Sequence, residues 1–152
     1  MKIQHRLLAQ FAVMSVIVLL VDQAAAQSCV ARHANGSMVP VRERAGPSMF
    51  WAHASMDPDG WPAITYGPPY FQLPPIMQRL TVLHECAHLV ERTSNEFFAN
   101  CKALSIMRQQ GLSAEDEQYI AQFHIQIGPL GPQYGGSGAA FWAGTQQMCQ
   151  GR

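Results

Sequence analysis

The chain has 152 residues, of which 48% are hydrophobic and 13% charged, with ten basic and ten acidic side chains. This length is enough for one domain with a single core. The balanced charge and the absence of a basic run argue against a nucleic-acid partner and against binding to a membrane surface.

The first 26 residues have the three parts of a secretory signal peptide. Residues 1–6 carry the basic charge, a mostly apolar run follows over residues 7–21, and Ala24-Ala25-Ala26 supplies a cleavage site of small residues. The apolar run is shorter than the roughly 18 residues typical of a membrane span. We therefore predict cleavage after Ala26, a single domain over residues 27–152 with no membrane span, and a periplasmic or secreted location.

Residues 84–88 are His-Glu-Cys-Ala-His, an H-E-x-x-H motif. Side chains four residues apart lie on one face of a helix, so His84 and His88 can bind the same metal ion. Glu85 lies about 100° further round, where it can reach a water on that metal without being a ligand. Two imidazoles, a third protein ligand and an open position suit zinc, which lowers the pKa of the water whose proton Glu85 would accept.

The residues around the motif favour a helix with one buried face. Leu73-Pro74-Pro75 marks a plausible start. Apolar residues then recur at spacings of three and four, at Leu80, Leu83, Ala87 and Val90. The competing interpretation is a helix that faces the core and whose two histidines are only hydrogen-bonded.

A zinc site needs a third protein ligand. In an unbroken helix Glu96 would lie roughly 12 Å along the axis from His88, too far to share one ion. A turn followed by a second helix, over about residues 95–110, would bring Glu96 back to the metal. Residues 93–96 also fit a capping box, in which Glu96 would instead cap its own helix. His124 is the reserve ligand.

The motif and the E-x-x-A-N segment that begins at Glu96 together resemble the gluzincin-like metallopeptidases, whose third zinc ligand is glutamate, and in particular small bacterial H-E-x-x-H proteins. The resemblance covers about 25 residues. It implies a zinc site of His84, His88 and Glu96. Glu85 would be the general base, and Asn100, where many relatives have Asp, would be a hydrogen-bond acceptor that orients a ligand imidazole.

The region between residues 29 and 73 is rich in turn signals, with room for short strands at residues 38–42 and 63–66. In zincins a strand beside the active-site helix pairs with extended substrate, and by that resemblance residues 62–66 are the best candidate. The alternative is an ordinary edge strand covered by a loop.

Two further residues are candidates for stabilising the transition state. A third helix begins at Ser113, and His124 adjoins its apolar stripe, where a histidine is more often a satisfied, partly buried residue than a catalytic one. The glycine-rich segment 131–138 lacks the sequence of a phosphate-binding loop. As a lid, this segment would let Tyr134 donate a hydrogen bond to a tetrahedral oxyanion. A short terminal helix follows over residues 139–150.

All four cysteines follow the predicted cleavage site, and in an exported protein this even number predicts two disulfides. Three pairings are open. We favour Cys86–Cys101, which would join neighbouring helices, and Cys29–Cys149, which would tie the ends. Acylation of Cys29 as a lipoprotein is an alternative that residues 26–28 match poorly. Metal ligation by Cys86 is disfavoured because it lies about 200° from the first histidine on the helix.

The sequence therefore predicts a mostly helical α+β domain of minimal zincin type, with one or two short strands and three main helices, stapled by disulfides. The expected function is that of an exported zinc metallopeptidase, which hydrolyses a peptide or protein with Glu85 as general base. The alternative is an exported, disulfide-bonded binding or structural protein, in which the histidines bind zinc structurally or bind no metal.

Overall fold

The computed structural model describes residues 29–151, and the predicted signal peptide with its cleavage site lies outside them. Within the described residues the chain is α+β, with four α-helices and two small sheets. None of the helices in this part of the chain is both long and apolar enough to span a membrane.

Five short strands occupy the first part of the described chain. β1 (Val30–Arg32) and β2 (Met38–Pro40) form an antiparallel pair. β3 (Arg42–Ala45), β4 (Ala52–Met56) and β5 (Pro62–Tyr66) form a second sheet in the order β3-β5-β4. In that sheet β3 runs parallel and β4 antiparallel to β5, which is buried along its whole length.

The strands differ from the sequence prediction in their number and in which strand forms an edge that could pair with substrate. The prediction of one or two strands is wrong, since five form. β4 has the sequence Ala-His-Ala-Ser-Met, which contains no β-branched or large aromatic residue; it becomes a strand because β5 offers a partner. The choice of Pro62–Tyr66 as the edge that pairs with substrate is also wrong, because β5 is paired on both sides.

Four α-helices follow the strands, and two short 3₁₀ turns precede the first and the last of them, at Pro68–Gln72 and Pro132–Tyr134. The three main helices and the terminal helix of the sequence prediction are confirmed, although the terminal helix has 13 residues and is as long as the third rather than short. The helices are α1 (Pro75–Glu91), α2 (Glu96–Gln109), α3 (Ala114–Gln126) and α4 (Gly138–Gln150).

Proline and side-chain caps fix the starts of these helices. α1 begins at Pro75, where the missing N–H of proline leaves no helical hydrogen bond unmade. The Asn95 side chain accepts a hydrogen bond from the Phe98 N–H at 2.9 Å, and Ser113 accepts one from Asp116 at 3.0 Å. Each cap satisfies an N–H that the first helical turn cannot, which stabilises the helix by about 1 kcal/mol.

α1 lies between two clusters of buried side chains and contributes to both. One cluster joins α1 to α2 and α3, and the other joins α1 to the strands. Met77 and Leu80 of α1 belong to the first cluster, and Cys86 belongs to the second together with Ile64 of β5. The motif helix is thus packed on two sides, which restricts its movement relative to the rest of the domain.

Two disulfides form, but the favoured pairing is wrong. The bonds join Cys29 to Cys86 and Cys101 to Cys149, with Cα–Cα distances of 6.0 and 5.4 Å. Cys86 faces the strand side of α1, whereas Cys101 faces α4, so these two cannot meet. The sulfur of Cys29 is therefore not free for a lipid, nor that of Cys86 for a metal. Two disulfides indicate an oxidising environment.

Candidate metal centre

His84, His88 and Glu96 bring their donor atoms to one point. The Nε2 atoms of the two histidines are 3.0 Å apart, and Oε2 of Glu96 lies 3.0 Å from Nε2 of His84 and 3.3 Å from Nε2 of His88. Ligand atoms on one tetrahedral zinc ion are about 3.3 Å apart, given metal–ligand distances of about 2.0–2.1 Å. The three side chains fit a single ion of this size, and the group could hold a metal.

The chain reversal between α1 and α2 places the third donor. α1 ends at Glu91, and Arg92 adopts the left-handed conformation, with φ 52° and ψ 47°. Asn95 is the N-cap of α2, so Glu96 occupies the first helical position and its carboxylate points to the histidines. The capping-box alternative does not form, and the predicted turn is present.

The same reversal orients His88. Nδ1 of His88 lies 2.7 Å from the backbone oxygen of Thr93, to which it donates a hydrogen bond. With Nδ1 donating to Thr93, Nε2 is the atom of His88 that faces Glu96, and in the metal-free site it donates a hydrogen bond to that carboxylate. Loss of this one proton would free the Nε2 lone pair for a metal. The backbone of Thr93 therefore favours the tautomer of His88 that a metal requires.

The pKa of each group in the cluster reflects its neighbours. Burial alone would raise the pKa of Glu96, but hydrogen bonds with His84 and His88 outweigh it and hold the pKa at about 2. Burial would lower the pKa of His88. The hydrogen bonds of this imidazole with Glu96 and with the backbone of Thr93, together with the charges of Glu96 and Glu85, outweigh burial and raise the pKa. Glu96 is accordingly an anion at neutral pH, as a metal-ligating carboxylate must be.

Glu85 lies beside the cluster and is 8% exposed. Burial raises the pKa of its carboxyl group, and the raise is only partly offset by the nearby His84 and His88 and by a backbone hydrogen bond from Ala54 of β4. A carboxylate whose pKa is raised in this way is suited to accept and return a proton near neutral pH.

Asn100 is 2% exposed and links two helices. Its Nδ2 atom donates a hydrogen bond to Oγ1 of Thr145 in α4, at 3.2 Å. For His88, the carbonyl of Thr93 accepts the hydrogen bond predicted for Asn100, whereas a contact of Asn100 with His84 stays a prediction. Asn100 thus positions the ligand-bearing α2 against α4.

Tyr134 lies near the carboxylates of the cluster. Burial and the charges of Glu96 and Glu85 raise the pKa of its hydroxyl to about 12. The ring packs edge-on against Phe141, with 5.2 Å between centroids. The hydroxyl therefore keeps its proton at neutral pH and can act as a hydrogen-bond donor.

His124 lies outside the group of three donors, so the reserve ligand is not needed. It is 3% exposed, and its Nδ1 donates to the backbone oxygen of Ile120 at 2.8 Å. Burial lowers its pKa, and the ring stacks on Trp142. The residue is a neutral imidazole in the wall of the adjoining cavity.

A cavity of about 480 Å³ opens beside this cluster, and its wall includes His84, Glu85 and Tyr134. The sequence identified the side chains of the site but missed two backbone groups, the carbonyl of Thr93 and the N–H of Ala54. Every residue has such groups, so no residue type marks them.

Comparison with protein-family models, with curated proteins and with solved structures finds no match to this chain. The resemblance to gluzincin-like peptidases rests on the motif residues alone.

Proposed function

We propose that this protein is an exported zinc-dependent hydrolase, and specifically a metallopeptidase. The observation that carries the proposal is the approach of His84, His88 and Glu96 to within 3.3 Å of one another, with the buried Glu85 next to them. A carboxylate that is not a ligand, beside three donors that converge, is the arrangement that metal-assisted hydrolysis needs.

Zinc is the metal that best suits this donor set. Two imidazole nitrogens and one carboxylate oxygen are the ligands of many catalytic zinc sites, which leave a fourth position for water. Bound zinc would lower the pKa of that water and polarise the scissile carbonyl. A structural zinc site has four protein ligands as a rule, whereas the group among the described residues has three. That difference supports an enzyme over a purely structural role.

The side chains around the cluster supply the proton transfers. Glu85 accepts a proton from the attacking water and passes it to the nitrogen of the leaving amine. The backbone of Ala54 fixes this carboxylate from the sheet side. The hydroxyl of Tyr134 donates a hydrogen bond to the carbonyl oxygen as negative charge develops there.

The experiment uses the protein from residue 27 to 152 with both disulfides intact. Zinc content is measured by mass spectrometry and peptidase activity on a mixture of peptides, for the wild type, Glu85→Gln and Glu96→Ala. We expect one zinc per wild-type chain, retention of zinc in Glu85→Gln with at least about a hundredfold loss of activity, and loss of zinc in Glu96→Ala. Folded protein that binds no zinc would refute the proposal, and so would full activity in Glu85→Gln.

A further inference from the structure

The cavity beside the metal centre continues the face of α1 that carries His84. Thr81, Leu80 and Met77 line it, and they lie three, four and seven residues before His84, on the same face of the helix. The hydroxyl of Thr81 donates a hydrogen bond to the backbone oxygen of Met77 at 2.8 Å, so its hydrogen is not available to a ligand. A substrate held at the cluster therefore has an apolar space next to its scissile bond.

Two loops complete the wall and add more apolar surface. Ile127 and Leu130 come from the segment after α3, and Trp51 comes from the loop before β4. Met49 and Phe50 also line the cavity and are 93% and 63% exposed. Large apolar side chains left in water beside a concave apolar wall are typical of a surface that binds an apolar ligand.

The charges on the wall limit what can enter. Among the described residues that line the cavity, Glu85 is the only acidic side chain, and there is no lysine or arginine. His124 is held neutral by burial. Away from the metal centre, a substrate carboxylate in this cavity would lose its water without gaining a cationic side chain as partner, which is unfavourable. We therefore expect the cavity to bind acidic side chains and a free carboxyl terminus poorly.

From these features we infer that the substrates are peptides cleaved at internal bonds, with a large uncharged apolar side chain next to the scissile bond that fills this cavity. The inference rests on the proposed function for the cleavage step, whereas the recognition step can be measured without zinc. The volume of about 480 Å³ is in the range of ligand pockets and accommodates one aromatic side chain with the adjoining backbone.

The test measures binding of blocked dipeptides, N-acetyl-X-X-amide with X as Phe, Ala or Glu, to the zinc-free, disulfide-intact protein by calorimetry. Using the same residue twice removes the need to know on which side of the bond the cavity lies. We expect the Phe peptide to bind at least about tenfold more tightly than the Ala peptide, from the apolar surface that it buries. The Glu peptide should bind most weakly.

Two variants with the same chemical change localise the binding. Leu130→Asp puts a charge on the cavity wall, and Ile125→Asp puts one on α3 at a side chain that is 48% exposed. Leu130→Asp should weaken binding of the Phe peptide by about tenfold or more, and Ile125→Asp by less than about twofold. Equal binding of the Phe and Ala peptides, or equal effects of the two variants, would overturn the inference.

Hydrolysis by the zinc-loaded protein separates the two proposals. Selective binding of the Phe peptide without hydrolysis of any peptide would leave the apolar pocket standing and remove the peptidase. Hydrolysis without preference for an apolar residue would support the peptidase and refute the apolar pocket.

Discussion

The two helices that carry the candidate metal ligands place them by different means. α1 puts His84 and His88 together because any straight helix aligns residues four apart. α2 presents Glu96 only because the chain reverses after Glu91 and the second helix then packs against the first. Two donors are thus a local property of one helix, and the third depends on tertiary structure. Substitutions in the two helices should have correspondingly different effects.

The largest loss of zinc affinity is expected from substitution of a histidine of α1. His84→Ala removes a donor that no other side chain of the cluster can replace, so zinc affinity should fall by at least about a hundredfold. Competition with a chromophoric chelator measures this loss. His53→Ala, at an exposed histidine of β4, is the matched control and should leave affinity unchanged. Equal affinity in the two variants would show that zinc binds elsewhere.

Measuring zinc affinity against pH tests whether Glu96 of α2 acts on His88 of α1. Protons compete with zinc for His88, whose pKa is raised by Glu96 in the metal-free protein, so zinc affinity should fall as the pH is lowered through that pKa. The loss should reach about tenfold per pH unit for each proton displaced. Because Glu96 is also a candidate ligand, its effect on His88 is measured in the metal-free protein, where NMR titration of Glu96→Gln should give a lower pKa for His88 than in the wild type. An unchanged midpoint would mean that Glu96 does not act on His88.

A smaller effect is expected where α2 begins. Asn95→Ala removes the cap on the Phe98 N–H and should lower the free energy of unfolding of the metal-free protein by about 1 kcal/mol. Because Glu96 follows the cap directly, zinc affinity should fall as well. Urea unfolding checks the first effect, with Ser94→Ala, at an exposed neighbour outside the helix, as the control. A loss in affinity as large as that of His84→Ala would contradict this ranking.

The smallest effect, a change in the free energy of unfolding, is expected at Arg92, where the chain reverses between α1 and α2. Arg92 has positive φ, which glycine adopts without the steric cost that a β-carbon adds. Arg92→Gly should therefore leave the free energy of unfolding unchanged or raise it by up to about 1 kcal/mol, whereas Arg92→Val should lower it. Thermal unfolding of both variants provides the measurement. Similar destabilisation by Gly and Val would show that the conformation of this residue does not matter.

The sequence predicts the helical half of the site well and the strand half poorly, for physical reasons. The start of α1 at Pro75 and the caps Asn95 and Ser113 lie in residues whose own chemistry sets the boundary. β4 has no such signal, because its strand conformation comes from pairing with β5. The disulfide pairing likewise depends on which helix face meets which neighbour, and that contact is not local.

The two disulfides make the site dependent on where the chain folds. Cys86 lies two residues after His84 and joins α1 to the chain 57 residues upstream, and Cys101 joins α2 to the chain 48 residues downstream. Closing loops of these lengths disfavours the unfolded chain by about 4 kcal/mol each, a large share of the roughly 5–15 kcal/mol that keeps a typical domain folded. A copy of this chain kept in a reducing cytosol would lack both crosslinks, and the helices that carry its donors would be held by packing alone. Oxidation of the four cysteines would then act as a switch for this protein, because the two disulfides hold the helices of the candidate metal centre in place.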